Sequence, residues 1–547
     1  MGVARSMRPA GRRLAEVLVV AIALSPSLAA QALDVGDPVE DYLRLLQISG
    51  DARLGSFTLR PAVSRGDQEG LLTEGHIWAS RRILPLDARA APAGPARLEP
   101  VEARLRMFVN TRHPVAQNDG AVWQGKGLTT ALDVGTGFAW RGLRVAIKPT
   151  LIHAQNSDFA LAPVTVEGMP EYAYPWRRID LPQRFGPDPT WRIDPGQSEV
   201  RLSGFGVTGG FTTRSLWWGP GIRSAIVMSN NAAGVPHAFL GTRGPRDIGI
   251  GTLEVSWIWG RLKQSEWFDP AVANDRRFLT GLVVAYSPSF LSGLSLGVTR
   301  AFYGAVPEGG LPLSDLFLVI QGVRKEGLVT PDNPTGDDET DQLASLFGRW
   351  VLAESGFEVY GEWSRNDHSG SFEDFLLEPE HSQGYTLGLQ KAVELSNGNR
   401  VALRGELTHL EREATFRLRP NPVYYSHHIV TQGYTHRGEV LGAGIGPGGI
   451  QQHVGMDLYA GWGRAGAFLQ RRVHDNDAFY AWAAENGASF DRHDVSFDVG
   501  AHALAFLGDF DLGASLTFTR ELNRYFFGPD VTNLNLGLTA RWRQRAR

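Results

Sequence analysis

Between Val101 and Trp542 the chain returns again and again to a period of two, with apolar residues on one side of an extended backbone and polar residues on the other. Leu105, Met107 and Val109 alternate with Arg104, Arg106 and Phe108; Leu143, Val145 and Ile147 alternate with Arg144, Ala146 and Lys148. The same pattern carries Leu253, Val255, Trp257 and Trp259, then Phe357, Val359 and Trp363 against Glu358, Tyr360 and Glu362. It recurs as Val401, Leu403 and Leu407 against Arg404, Glu406 and Thr408, as Leu512, Ala514, Leu516 and Phe518, and as Leu534, Leu536, Leu538, Ala540 and Trp542. A chain built this way folds as sheet with one apolar face, and a water-soluble sandwich alternates in the same manner as a membrane barrel.

Three features favour the barrel. Residues 1–32 read as an export signal: Arg5, Arg8, Arg12 and Arg13 precede the apolar run Leu14 to Leu24, and Ala30-Gln31-Ala32 is a small-x-small cleavage site, with maturation expected near Leu33. The strands are roughly ten residues long, as transmembrane barrel strands are. Their polar faces carry charges, where a barrel lumen holds them. No stretch after the signal reaches the ~18 uninterrupted apolar residues of a spanning helix.

At 547 residues the chain exceeds the usual size of one domain, and a large closed sheet keeps it single. About 450 residues at roughly 24 per strand and connection give a barrel in the high teens of strands. The absence of cysteine removes disulfides, thiolate metal sites and a lipid anchor on a mature N-terminal cysteine. A net charge of −4 provides no broad basic field, so nucleic acid is not an expected partner. The expected division is a signal over 1–32, an N-terminal periplasmic helical region and linker over 33–100, and an outer-membrane barrel over 101–547.

In the N-terminal region Asp37 can cap a helix that Pro38 starts, with Val39, Tyr42, Leu43 and Leu46 on one face and Gly50 ending it. Weaker helical signal covers Gly70 to Leu84, and a Pro- and Ala-rich connector runs from Pro85 to Pro100.

The least ordinary stretch is Leu216 to His237. Trp217 and Trp218 lead into Gly219-Pro220-Gly221, and the run closes on Ser229, Asn230 and Asn231 before Gly234, Pro236 and His237. It reads equally as a packed corner inside a large β-protein or as a polar, aromatic wall facing a ligand. Trp217-Trp218-Gly219-Pro220-Gly221, Ser229-Asn230-Asn231-Ala232 and Pro236-His237 closely resemble the core motif of the capsule assembly Wzi family of bacterial outer-membrane proteins. Shorter pieces extend the resemblance: Gly55 to Pro61, Ile179 to Pro182, Phe185-Gly186, Gly196 to Ser198, Val359 to Trp363 with Asp367, His381 with Tyr385 to Gln390, and Gln432 to Gly438 before Leu441-Gly442. The resemblance implies an all-β, transmembrane antiparallel barrel of eighteen strands with a small N-terminal helical bundle at its periplasmic end. It also implies a lectin-like, non-catalytic protein that binds capsular or extracellular polysaccharide and aids its assembly or attachment at the cell surface. In one respect the chain departs from outer-membrane barrels: the terminal aromatic, Trp542, is followed by Arg-Gln-Arg-Ala-Arg.

Candidate sugar contacts lie in the connection Tyr172 to Gln197. Tyr174, Trp176 and Trp191 offer flat rings, and Arg177, Arg178 and Arg192 offer hydrogen bonds to hydroxyls and acidic groups. An interfacial aromatic belt with basic neighbours reads equally well there. Tyr424, Tyr425, His427 and His428 read as lumen or loop lining more readily than as a metal site, and the acidic segment Asp332 to Asp341 matches no calcium loop.

Catalytic signatures fail on context. Gly120 to Gly127 lacks the Ser or Thr of a phosphate loop, Gly204 to Gly209 continues as strand where a dinucleotide site needs a helix, and Ser295 in Gly293 to Gly297 lies inside a strand and not on a strand-to-helix turn. No enzyme activity, cofactor or metal is expected. Partners are polysaccharide and outer-membrane lipid, and the protein is expected to be a monomer. A diffusion porin or sugar-selective channel is the alternative that shares the barrel, and an open lumen distinguishes it.

Overall fold

The computed structural model describes residues 33–60 except 53, 76–79, 96–320 except 116, 272, 273 and 308, 340–366, and 372–543 except 418, 420 and 488. The expected signal, most of Gly70 to Leu84, residues 85–95, residues 332–339, Asp367 and the tail after Arg543 lie outside the described residues.

The alternating segments close into one antiparallel barrel. Twenty-one strand segments make its sheet, and three pairs of them are interrupted single staves: Leu143–Ile147 with Thr150–Ala154, Thr190–Asp194 with Glu199–Gly204, and His237–Thr242 with Arg246–Asp247. Eighteen staves result among the described residues. The seam joins Arg97–Asn110 to Val531–Arg543, with Leu105 opposite Ala540 and Met107 opposite Leu538. The first strand opens at Arg97, inside the segment read as connector, and a register shift between Glu99 and Glu102 marks where the linker becomes wall.

The two faces are inverted relative to a water-soluble fold. Leu105, Leu403, Leu516 and Leu538 are exposed on the outside, whereas Arg349 and Glu358 are buried inside at 2% and 0%. An apolar exterior around a charged interior is stable only with lipid around it. Many lumenal charges are paired, as in Arg104 with Asp133 at 2.7 Å and Arg472 with Asp498 at 3.0 Å.

The two rims differ. At one, staves meet in tight turns such as Arg141-Gly142 and Phe205-Gly206; in the second, both central residues have positive φ, as the twist of a two-residue hairpin requires. At the other, connections run as long as 155–189, 213–236 and 410–449. Short periplasmic turns and long outer loops are the rule for such barrels, which orients the wall.

The helix Pro38–Ile48 sits within the turn-end lumen. Asp37 caps it by accepting the Val39 N–H at 2.9 Å, and Val39, Tyr42, Leu43 and Leu46 are all buried. Trp78 stacks on Tyr42 at 3.9 Å and donates its indole N–H to the Ala460 carbonyl at 2.8 Å. Arg541 of the last stave bridges the helix cap and the first stave, 2.5 Å from Asp37 and 3.1 Å from Glu102.

Candidate functional site

The stretch 213–236 is a connection between two staves that turns inward and fills mid-lumen. Trp217 and Trp218 pair in antiparallel fashion with Arg60 and Leu59 of the N-terminal region. Both rings are buried, at 2% and 1% exposure, so the packed reading of this stretch describes its geometry. Arg60 lies 4.3 Å over the Trp217 ring and donates to the Gly221 carbonyl at 3.2 Å. Trp218 packs against Gly281, where a Cβ would stand 2.8 Å from the indole.

The wall holds this turn through carboxylates. Glu406 accepts the N–H groups of Ile222, Arg223 and Ser224 at 2.6, 3.0 and 2.8 Å, and the Tyr360 hydroxyl at 2.8 Å. Glu362 accepts the Ile226 N–H at 3.1 Å. Pro220 presents its carbonyl to Arg44 at 2.7 Å, and a Cβ on Gly221 would stand 1.9 Å from the Ser224 carbonyl, so only glycine fits that turn.

The far side of the stretch meets the connection 410–449. Ser229 donates its hydroxyl to Gly442 at 2.6 Å, Asn231 donates to Val440 at 3.1 Å, and Tyr425 donates to Ile226 at 2.8 Å. Asn230 donates to the Asn118 carbonyl at 2.9 Å. Pro236 then delivers the chain to the next stave, which starts at His237, whose ring is buried and 2.6 Å from the Val235 carbonyl. The lumen is thus filled at three levels: N-terminal helix, tryptophan stretch, and the Tyr424, Tyr425 and Tyr434 layer above it.

Two cavities lie at opposite ends of the lumen. One of about 270 Å³ lies toward the turn end, lined by Asp34, Asp37, Arg104, Asp133 and Arg541. The other, about 350 Å³, lies toward the long loops and is lined by Trp123, Tyr174, Trp176, Asn231, Tyr525 and Phe526 among others. Asn118 and Asp119 line both. The loop-end cavity is the candidate site, because it gathers flat rings and hydrogen-bonding groups beneath the outer connections.

The connection Tyr172 to Gln197 divides between two places. Tyr174 and Trp176 line the loop-end cavity. Arg177 grips Asp475 with both guanidinium nitrogens, at 2.7 and 2.8 Å, and the Tyr174 hydroxyl bonds the same carboxylate. Asp475 in turn caps the helix Asn476–Asn486 through the Ala478 N–H. Trp176 packs 5.0 Å from Phe526 and 6.1 Å from Phe527, with Trp482 6.0 Å from Phe526. Arg178 is exposed and donates to the Glu167 carbonyl at 3.3 Å. Arg192 points inward to the Ala121 carbonyl. Trp191 stands apart: 70% exposed on the outer surface beside Ile193, 4.4 Å from His153, it occupies the position of a lipid-facing belt residue.

Burial sets the state of several groups here. It pushes the Asp119 carboxyl up to about 6 and Glu439 up to about 8, and it pushes His474 down to about 4. Asp494 is raised by burial and then by Glu521 beside it. Among the described residues no three His, Asp or Glu side chains are arranged to hold a metal ion.

Trp123, Trp482 and the run Tyr525-Phe526-Phe527 were not singled out by sequence. The signal for the last was available, since it breaks the alternation between two clean strands; in the structure Asn523, Tyr525 and Phe526 all have positive φ.

A family model described as capsule assembly protein Wzi matches residues 100–460. The fold is similar to that of Wzi, an outer-membrane protein involved in group 1 capsule assembly in Escherichia coli and described as a carbohydrate-binding β-barrel, with a TM-score of 0.60 and 12% identity over 95% of this chain and 100% of that one. OccAB2 of Acinetobacter baumannii is more distant, with a TM-score of 0.40 and 11% identity over 81% of this chain and 98% of that one. No curated protein matches the chain by sequence.

Proposed function

Because the chain belongs to the capsule assembly Wzi family, we propose that it is an outer-membrane protein that binds capsular or extracellular polysaccharide and aids its assembly or attachment at the cell surface, without catalysis. The observation that carries this reading is the loop-end cavity: about 350 Å³, floored by the filled lumen and lined by Tyr174, Trp176 and Trp123 with Asn118, Asn231 and Gln183 between them. Flat rings cover the apolar faces of sugar rings while amides and carboxyls exchange hydrogen bonds with hydroxyls. Arg177 acts through Asp475, holding the Tyr174 side of the cavity in place. Arg178 offers a further contact at the exposed edge.

In this reading residues 1–32 are removed on export, the helix Pro38–Ile48 marks the periplasmic end of the lumen, and the barrel, whose wall begins at Arg97, works as a monomer in outer-membrane lipid. A lumen filled at three levels supports a surface lectin over a diffusion porin. The test is binding of the detergent-folded barrel to the exopolysaccharide of its source organism, with single-channel conductance recorded on the same preparation. Binding with little conductance is expected; conductance without binding would reject the reading in favour of a channel.

A further inference from the structure

The stave Gly251–Lys263 rises from the turn rim to the loop rim, and Arg276–Pro288 returns beside it. Their faces are fixed by what each side chain meets. Ile258 and Leu262 are buried in the lumenal core with Trp218, and Arg277 donates to the Gly433 and Thr435 carbonyls inside the barrel. Arg261 and Lys263 on the first stave and Arg276 on the second therefore point outward, and all three are exposed. Lys263 stands directly opposite Arg276, and Arg261 is the next outward position below Lys263.

This cluster has no counter-charge. Among the described residues none of the three side chains makes an ion pair, and Glu266, Asp269 and Asp275 in the connection above reach none of them. Asp269 is engaged instead by Gln264, Ala271 and Asn274. Like charges directly opposite one another weaken a sheet, so the Lys263–Arg276 pair calls for an anion beside it. Its height says where that anion resides. At about 3.3 Å per residue and a tilt of ~40°, each residue lifts a stave by roughly 2.5 Å, which puts Arg261 about 25 Å above Gly251, at the upper edge of the apolar band, and Lys263 just beyond it.

Below the cations the outer face is aromatic and carries an apolar ledge. The short helix Leu313–Ile320 lies back against the outside of the wall: Trp259 donates its indole N–H to the Leu316 carbonyl at 2.9 Å, Phe317 is 5.5 Å from Trp257, and Leu318 and Val319 are buried with Phe278 and Phe302. Its other side turns Leu313, Phe317 and Ile320 away from the barrel, at 78, 47 and 59% exposure.

We propose that this outer face binds a phosphate-bearing lipid of the outer leaflet, with its phosphates among Arg261, Lys263 and Arg276 and its acyl chains along the ledge of Leu313, Phe317 and Ile320. Phosphate oxygens accept several charge-assisted hydrogen bonds at once, and the guanidinium fork suits them. Acyl chains match the ledge, which a free anion or a polysaccharide would leave uncovered. The site is separate from the loop-end cavity, so the inference stands or falls independently of what that cavity binds.

The test titrates the full-length detergent-folded protein with diphosphoryl lipid A in mixed micelles, and then with the same lipid after its phosphates are removed. At least tenfold weaker binding of the dephosphorylated lipid is expected, and inorganic phosphate should displace the lipid no better than chloride at equal ionic strength. Arg261→Gln, Lys263→Gln and Arg276→Gln together should weaken binding of the phosphorylated lipid at least tenfold, with heat-modifiable migration unchanged because these exposed side chains hold no ion pair. Arg471→Gln with Arg492→Gln, which removes cations elsewhere on the loop rim, should leave binding as it was. Equal binding of the two lipids overturns the inference on the parent protein alone. Equal loss in both variants would reduce the site to general charge attraction, and displacement by inorganic phosphate would give the cations to a free anion; either result overturns it as well.

Discussion

Arg44, on the N-terminal helix, and Glu358, on the wall stave Phe357–Asn366, form an ion pair buried at 3% and 0% exposure, with the Arg44 Nε 3.1 Å from the carboxylate. Arg349 shares Glu358 at 3.0 Å, and Arg44 also donates to the Pro220 carbonyl at 2.7 Å. One guanidinium therefore fastens the helix to the wall and to the tryptophan stretch at once. Arg44→Ala should cost about 3 kcal/mol, the lower end for breaking a buried pair, because Arg349 remains to partner Glu358. A fall in the thermal midpoint of the refolded barrel checks it.

Trp176→Ala should weaken polysaccharide binding by about 2 kcal/mol, roughly thirtyfold, which is the scale of one buried ring at a recognition site. Heat-modifiable migration on gels should be unchanged, since the Trp176 cluster with Phe526 and Trp482 lies in the connections and not in the stave pairing. Unchanged binding would remove Trp176 from the site.

Trp191→Ala should leave polysaccharide binding intact. Its ring lies on the outer face, so the loss falls on insertion into vesicles, on the order of 1–2 kcal/mol from lost apolar contact with lipid. Weakened binding with normal insertion would place the residue in the site after all.

Glu406→Ala should turn a quiet barrel into a conducting one. Three successive N–H groups, Ile222 to Ser224, lose their acceptor, and the turn that fills mid-lumen loses its anchor to the wall. Single-channel recordings should show openings in the variant that the parent lacks, and a variant as silent as the parent would mean that the remaining contacts hold the plug.

Asp119, raised to about 6, and Glu439, raised to about 8, both bind their protons more tightly folded than unfolded. Their contribution to stability is therefore fully present below about pH 4 and is lost as pH rises through about 6 and then about 8. The thermal midpoint should fall by several degrees between about pH 5 and pH 9, and Asp119→Asn with Glu439→Gln should flatten that slope.

The wall was legible in the sequence because period-two alternation is dictated locally, by which neighbour meets lipid and which meets the lumen. Leu403 outward and Arg404 inward follow from one residue's step. The helix start at Pro38 was legible for the same reason, since Asp37 and Pro38 suffice to make it. The lumen filling was not, because it depends on contacts such as Glu406 with Ile222 and Arg60 with Trp217, which join residues more than 150 positions apart. Trp191 and Trp176 look alike in sequence and diverge only once stave geometry sends one outward and the other over the rim. The cavity draws its lining from several connections at once, so no single stretch announces it.

The bridge from Arg541 to Asp37 and Glu102 bears on how the cylinder is sealed. The seam joins strands more than 400 positions apart, and Arg541 of the last one reaches both the first strand and the cap of a helix that precedes that strand. A cylinder zipped without the helix in place would leave Arg541 with one of its two carboxylates and Asp37 with no helix to begin. Proper sealing is thereby coupled to the presence of the stopper, so the geometry favours a finished wall that is already corked over one that closes empty and is filled later.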